Sequence, residues 1–238
     1  INKFLHGILI FSVIFLVGCN NNGSGDTDKT FLGGSDGLIV EFKDLEPRKS
    51  FQKGDFVDFT LLLRNSGEFD IPKSNMYVSL DGVKFDDWEN LNGNWRLVSP
   101  GINGVTNEFP DPNELEVSIG RSRYMADILS TRTIAFGAKA CYPYKTKTDI
   151  TTCVSSKNLE ENNIGEPVCD ISGEKVKSGT VSSGPVQVSS VTESFLGSNS
   201  IKFDIIIENS GEGTVVDKDI ACDTYGLGNT GVVFVKLP

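Results

Sequence analysis

Ten residues recur in this chain, and their recurrence constrains its architecture more than any other stretch does. Phe59-Thr60-Leu61-Leu62-Leu63-Arg64-Asn65-Ser66-Gly67-Glu68 aligns without a gap with Phe203-Asp204-Ile205-Ile206-Ile207-Glu208-Asn209-Ser210-Gly211-Glu212. Each copy is an apolar strand that runs into Asn-Ser-Gly-Glu. Glycine tolerates positive φ, and Asn and Ser can bond back to the local backbone, so the tetrapeptide reads as a turn. Each copy also follows an earlier strand, Gly37–Phe42 in one case and Pro185–Val191 in the other. A self-similar strand-turn unit predicts two modules of one kind.

The rest of the chain supports an all-β reading. Val, Ile, Thr, Phe and Ser are abundant, Gly occurs 25 times, and long apolar patterns of period 3.6 are absent. In the first module, further strands are expected at 76–80, 96–98, 114–119, 122–128, 131–144 and 150–155. Asp86–Leu91 is expected to form one helical turn or a loop. Seven or more short strands over this length fit an immunoglobulin-like β-sandwich. The second module offers strands near 185–192, 201–209, 213–217 and 231–236. These are too few for a full unit, so a partial second unit, truncated at Pro238, is expected. The expected division is a signal peptide over 1–18, a flexible tether over 19–36 and the sandwich over 37–157. A linker over 158–183 and the partial second unit over 184–238 complete it.

The signal peptide is read from Lys3, the apolar run Phe4–Val17, and Leu16-Val17-Gly18-Cys19 at its end. That ending is a lipobox, in which the cysteine thiol takes a diacylglyceryl group and the peptide is cut just before it. The run is shorter than the ~20 residues a spanning helix needs. The polar stretch Asn20–Asp28 suits a leash between lipid and folded domain. The expectation is therefore a lipoprotein, lipidated at Cys19, extracytoplasmic and held to the membrane of the cell envelope.

The formal charge of −10 disfavours nucleic acid as a partner. With Cys19 lipidated, Cys141, Cys153, Cys169 and Cys222 remain, an even number that reads as two disulfides in an exported chain. Three pairings are open, and local geometry favours one. If Lys145–Asp149 is a hairpin loop, Tyr144 pairs with Ile150 and Cys141 falls opposite Cys153, near enough to bridge. Cys169 and Cys222 are then left for each other. The spacings lack a C-x₂-C knuckle, so no zinc site is expected.

The repeated strand with its Asn-x-Gly ending resembles the CARDB-type and archaeal S-layer-type immunoglobulin-like repeats of prokaryotic surface proteins. Ala140-Cys141-Tyr142-Pro143-Tyr144 also resembles a strand of archaeal surface proteins. The resemblance covers roughly 37–158 and 184–215, and it implies spacers, adhesive modules or envelope components with no catalytic residues to carry over. Relative to that pattern, 85–113 looks like an insertion.

Little chemistry is written in the residues. His6, in the signal peptide, is the only histidine, so Ser-His-Asp and Cys-His nucleophile systems and histidine metal sites are excluded for the processed chain. No metal or cofactor is expected. Asp86 and Asp87 beside Trp88, with Trp95 following, form the leading candidate ligand site, a sugar-stacking platform with acidic neighbours. Tyr142, Tyr144 and the Lys145–Asp149 tip form a second candidate, a binding hairpin, whose competing role is a long hairpin held by a disulfide. The competing role for Trp88 is to cover the end of the core. Asp111, Glu114 and Glu116 lack any calcium-loop pattern. The leading expectation is a cell-surface structural or adhesive protein without catalytic activity. The alternative is a module that binds a glycan or a surface protein through the Trp88/Trp95 region.

Overall fold

The computed structural model describes residues 29–43, 50–152, 173–196, 200–224 and 230–237. Their elements are β1 (Leu38–Lys43), β2 (Phe56–Asn65), β3 (Met76–Asp81), β4 (Trp88–Glu89), β5 (Arg96–Val98), β6 (Asn113–Tyr124), β7 (Gly137–Cys141), β8 (Val186–Phe195) and β9 (Ile201–Asn209). A short 3₁₀ turn at Phe85–Asp87 is the one helical element among the described residues. The all-β expectation holds.

Three sheets form, with strand orders β1-β2-β6-β4, β5-β3-β7 and β8-β9. The first is antiparallel throughout, and β2 sits inside it with β1 on one edge and β6 on the other. Along β2 the apolar residues alternate, so Phe59, Leu61 and Leu63 share one face and are fully buried. They meet Met76, Val78 and Leu80 of β3 and Val98 of β5 in one core. Two sheets around a shared core are consistent with a sandwich.

Aromatic rings close one end of that core. Trp88 lies 5.2–5.7 Å from the rings of Phe51, Phe59, Tyr124 and Phe136, centroid to centroid. Such tilted and edge-on contacts are the favoured aromatic geometries. The two-residue β4 follows directly from the 3₁₀ turn and pairs with Arg123 and Tyr124 at the end of β6. The turn expected at 86–91 is therefore a turn followed by an edge strand.

The expected strand at 114–119 and the first part of that at 122–128 are one strand, β6, which ends at Tyr124, so 125–128 lie outside it. Gly120, at φ +123°, sits beside a bulge opposite Phe59 and Thr60, and the strand continues through it. A side chain would be strained at that φ. The expected strand at 131–144 is shorter, covering Gly137–Cys141, and pairs with β3.

The hairpin expected between that strand and 150–154 does not form in the described part. The backbone at 147–149 turns instead to 180–182. Asp149 donates its N–H to the Thr180 carbonyl at 2.8 Å, and Ser182 donates to the Lys147 carbonyl at 2.9 Å. Cys141 is accordingly bonded not to Cys153 but to Cys222, with Cα atoms 5.9 Å apart. This corrects both expected pairings, since Cys222 is no longer open to Cys169. Cys153 and Cys169 themselves lie outside the described residues, as does Cys19.

The second copy of the repeat forms β9, antiparallel to β8, with a bulge between Val188 and Ser190. Near 213–217 and 231–236, where further strands were expected, the described residues show an isolated bridge between Val216 and Thr230.

Candidate functional site

The repeated turn shares two hydrogen bonds between its two copies. Ser66 donates its N–H to the Gly37 carbonyl at 2.9 Å, and Ser210 donates to the Pro185 carbonyl at 2.7 Å. The asparagine before each serine reaches four residues on. Asn65 Nδ2 donates to the Phe69 carbonyl at 2.9 Å, and Asn209 Nδ2 donates to the Gly213 carbonyl at 2.8 Å. Asn65 is fully buried and makes further bonds. Its Nδ2 also faces the Ile102 and Asn103 carbonyls, and its Oδ1 accepts the Gly67 N–H. A buried amide with its donors and acceptor engaged is a fixed structural post.

Around the first turn lies a polar junction that joins three stretches of chain. Glu68 Oε1 accepts the Leu32 N–H at 3.0 Å, while Oε2 accepts those of Gly33 at 3.2 Å and Ser183 at 2.5 Å. Ser183 Oγ donates to the Asp36 and Ser66 carbonyls. Gln187 Nε2 shares its two hydrogens among the carbonyls of Gly34, Ser182 and Gly184. Residues within 32–36 of the expected tether and 182–183 of the expected linker are thus hydrogen-bonded to the body of the protein.

Two tyrosines plug the junction. Tyr142 Oη accepts the Leu38 N–H at 3.0 Å, and Tyr144 Oη donates to the Ser183 carbonyl. Burial pushes both phenols above their ordinary value. They fit because three positions lack a side chain. A Cβ at Gly37 would collide with the Tyr142 hydroxyl, and one at Gly67 or Gly184 would collide with the Tyr144 ring or hydroxyl. The tyrosines come from the segment just after Cys141, whose disulfide to Cys222 fixes it from the other side.

The candidate platform is arranged differently from a sugar-stacking site. Trp88 is only 6% exposed, so its ring serves the core. Trp95 is half-buried and Asp86 is exposed. Asp87 pairs with Arg132 at 3.0 Å and Lys84 at 3.5 Å. The Arg132 hydrogen bond, assisted by Lys84, holds its carboxyl below the usual Asp range. That is the setting of a structural ion pair, since a general acid needs the opposite shift. Glu114 pairs with Arg64 and Glu116 with Lys43. Among the described residues no cluster of three or more His, Cys, Asp or Glu could hold a metal ion. No described helix is long and apolar enough to cross a membrane.

Sequence reasoning missed Glu68 and the glycine niche. Glu68 was visible as the last residue of the repeat, but its partners at 32, 33 and 183 are distant in sequence. No family model, curated protein or solved structure matches this chain.

Proposed function

We propose that this chain is a lipid-anchored, extracytoplasmic structural or adhesive protein whose units are immunoglobulin-like. Cys19 carries the lipid, the residues after it form a leash, and the folded body stands off the membrane. The observation that carries this reading is the recurrence of one strand pair, closed by the same asparagine bond, in a chain whose residues 3–19 read as a lipobox leader. Its support lies in scaffolding chemistry. The conspicuous polar groups (Asn65, Glu68, Ser183, Gln187) are spent on hydrogen bonds to backbone. Recognition in such a body falls to loops and sheet edges.

The test is expression in a lipoprotein-processing host with labelled palmitate, followed by membrane fractionation and intact mass. The native chain should lose residues 1–18, gain an acyl mass and sediment with membranes. Cys19→Ala should stay unlabelled and leave the membrane with its β-sheet circular dichroism unchanged. Tight membrane retention of Cys19→Ala, or an unmodified native Cys19, would overturn the anchor.

A further inference from the structure

In the first copy of the repeat, β2 has a neighbour on each edge. In the second, β9 has β8 on one edge, and no described residue pairs with the other. The geometry of that open edge can be worked out. Ser210 donates its N–H to Pro185, and the register places 209 opposite 186. Backbone groups alternate between edges along a strand. The even residues of β9 therefore bond to β8, and residues 201, 203, 205, 207 and 209 turn their N–H and C=O groups outward. The side chains of Ile201, Phe203, Ile205 and Ile206 are 39–51% exposed. An apolar strand with a free row of donors and acceptors is a template for another strand.

We propose that this edge pairs antiparallel with the same edge of a second copy of the chain, about a two-fold axis at Ile205. The charges choose the occupant and the register. With the axis at Ile205, Ile205 exchanges both backbone bonds with its counterpart, Phe203 lies opposite Ile207, and all of β9 is used. Lys202 then faces Glu208 twice, once on each side of the axis. Moving the axis to Asp204 sets Asp204 against itself, and moving it to Ile206 sets Asp204 against Glu208. Like charges directly opposite one another are destabilising. Moving it two residues either way leaves only 201–205 or 205–209 paired. Lys202 and Asp204 already pair at 2.8 Å on the solvent side, with side chains 53% and 54% exposed. The counterpart's Glu208 would add a second carboxylate to that lysine. The product is a continuous four-stranded sheet, β8-β9-β9-β8, with an isologous contact that closes on itself. This contact does not depend on lipid at Cys19.

Sedimentation velocity of the full chain in density-matched detergent, at concentrations up to about 1 mM, tests it. A reversible monomer–dimer equilibrium is expected. Lys202→Glu and Glu208→Lys should each weaken it at least about tenfold by setting like charges opposite each other. The double variant K202E/E208K should restore it. A monomer throughout that range overturns the proposal. So does association that either single reversal leaves unchanged, or a double variant no stronger than the singles.

Discussion

β2 and β9 carry the same motif and make the same turn, yet they live in opposite surroundings. Phe59 and Leu61 are fully buried, while their counterparts Phe203 and Ile205 are 42% and 40% exposed. The asparagine that closes each strand follows suit. Asn65 is buried among several carbonyls, and Asn209 is exposed with a single described bond. The local sequence therefore specifies the strand and its turn, whereas burial depends on what packs over them. For β2 that cover is β3 with β5 and β7 beside it. In the second region, the disulfide and a hydrogen-bonded flank at 174–176 do part of the work that a core does in the first.

Removing the crosslink should separate the two regions most. Closing a loop with a sequence separation of 81 should contribute about 4.5 kcal/mol on the chain-entropy model. The double variant C141S/C222S should lower protection of β8 and β9 amides in hydrogen exchange far more than that of β2. Equal loss in both regions would mean that the two do not differ in how they are held.

Core truncation comes next. Leu61→Ala should destabilise by about 2–5 kcal/mol in urea unfolding, because it leaves a cavity. Ile205→Ala, at the matching position, should cost under about 1 kcal/mol. Similar losses at both sites would show that β9 is covered after all.

Asn65→Ala should cost about 1–3 kcal/mol, since it leaves the buried Gly67 N–H without its acceptor and takes a donor from the Phe69 and Asn103 carbonyls. Asn209→Ala, whose carbonyl partner can turn to water, should cost about 0.5–1 kcal/mol. A ratio near one would say that the turn bond matters and its burial does not.

The smallest effect is electrostatic. The Ser190 hydroxyl and then the N–H groups of Val191 and Val176 pull the Glu174 carboxyl from its ordinary 4.5 to about 2. A depressed carboxylate contributes stability that is present above pH 4.5 and lost as pH falls through about 2. Carboxyl-carbon NMR should therefore show Glu174 titrating near 2, with the Val191 amide shifting in step. A midpoint near 4.5 would mean that the flank is loose at β8.

Much of this was legible in the sequence. The repeat predicted both strand pairs, and the span 201–209 agrees with β9. What escaped was long-range. A break was expected between 119 and 122, yet Gly120 carries β6 through a bulge. The polar run 145–149 looked like a hairpin loop because local pattern cannot see 180–182 waiting to pair with it. That error fixed the cysteine pairing wrongly, since the proximity argument for Cys141 and Cys153 rested on the hairpin alone. Of the candidate site, Asp86, Asp87, Trp88 and Trp95 were singled out as a ligand platform from their neighbourhood in the sequence alone. Their surroundings were not visible, because Trp88 is buried by Phe51, Tyr124 and Phe136 from three other parts of the chain.

The link between Cys141 and Cys222 has a mechanical consequence. Every residue of β8 and β9 lies inside the loop it closes. Tension applied between the two ends of the chain would cross from 141 to 222 through the sulfur atoms and bypass that ribbon. With a reach of about 3.3–3.6 Å per extended residue, roughly 270 Å of contour is withheld from stretching. Reduction would release that slack into a chain under load.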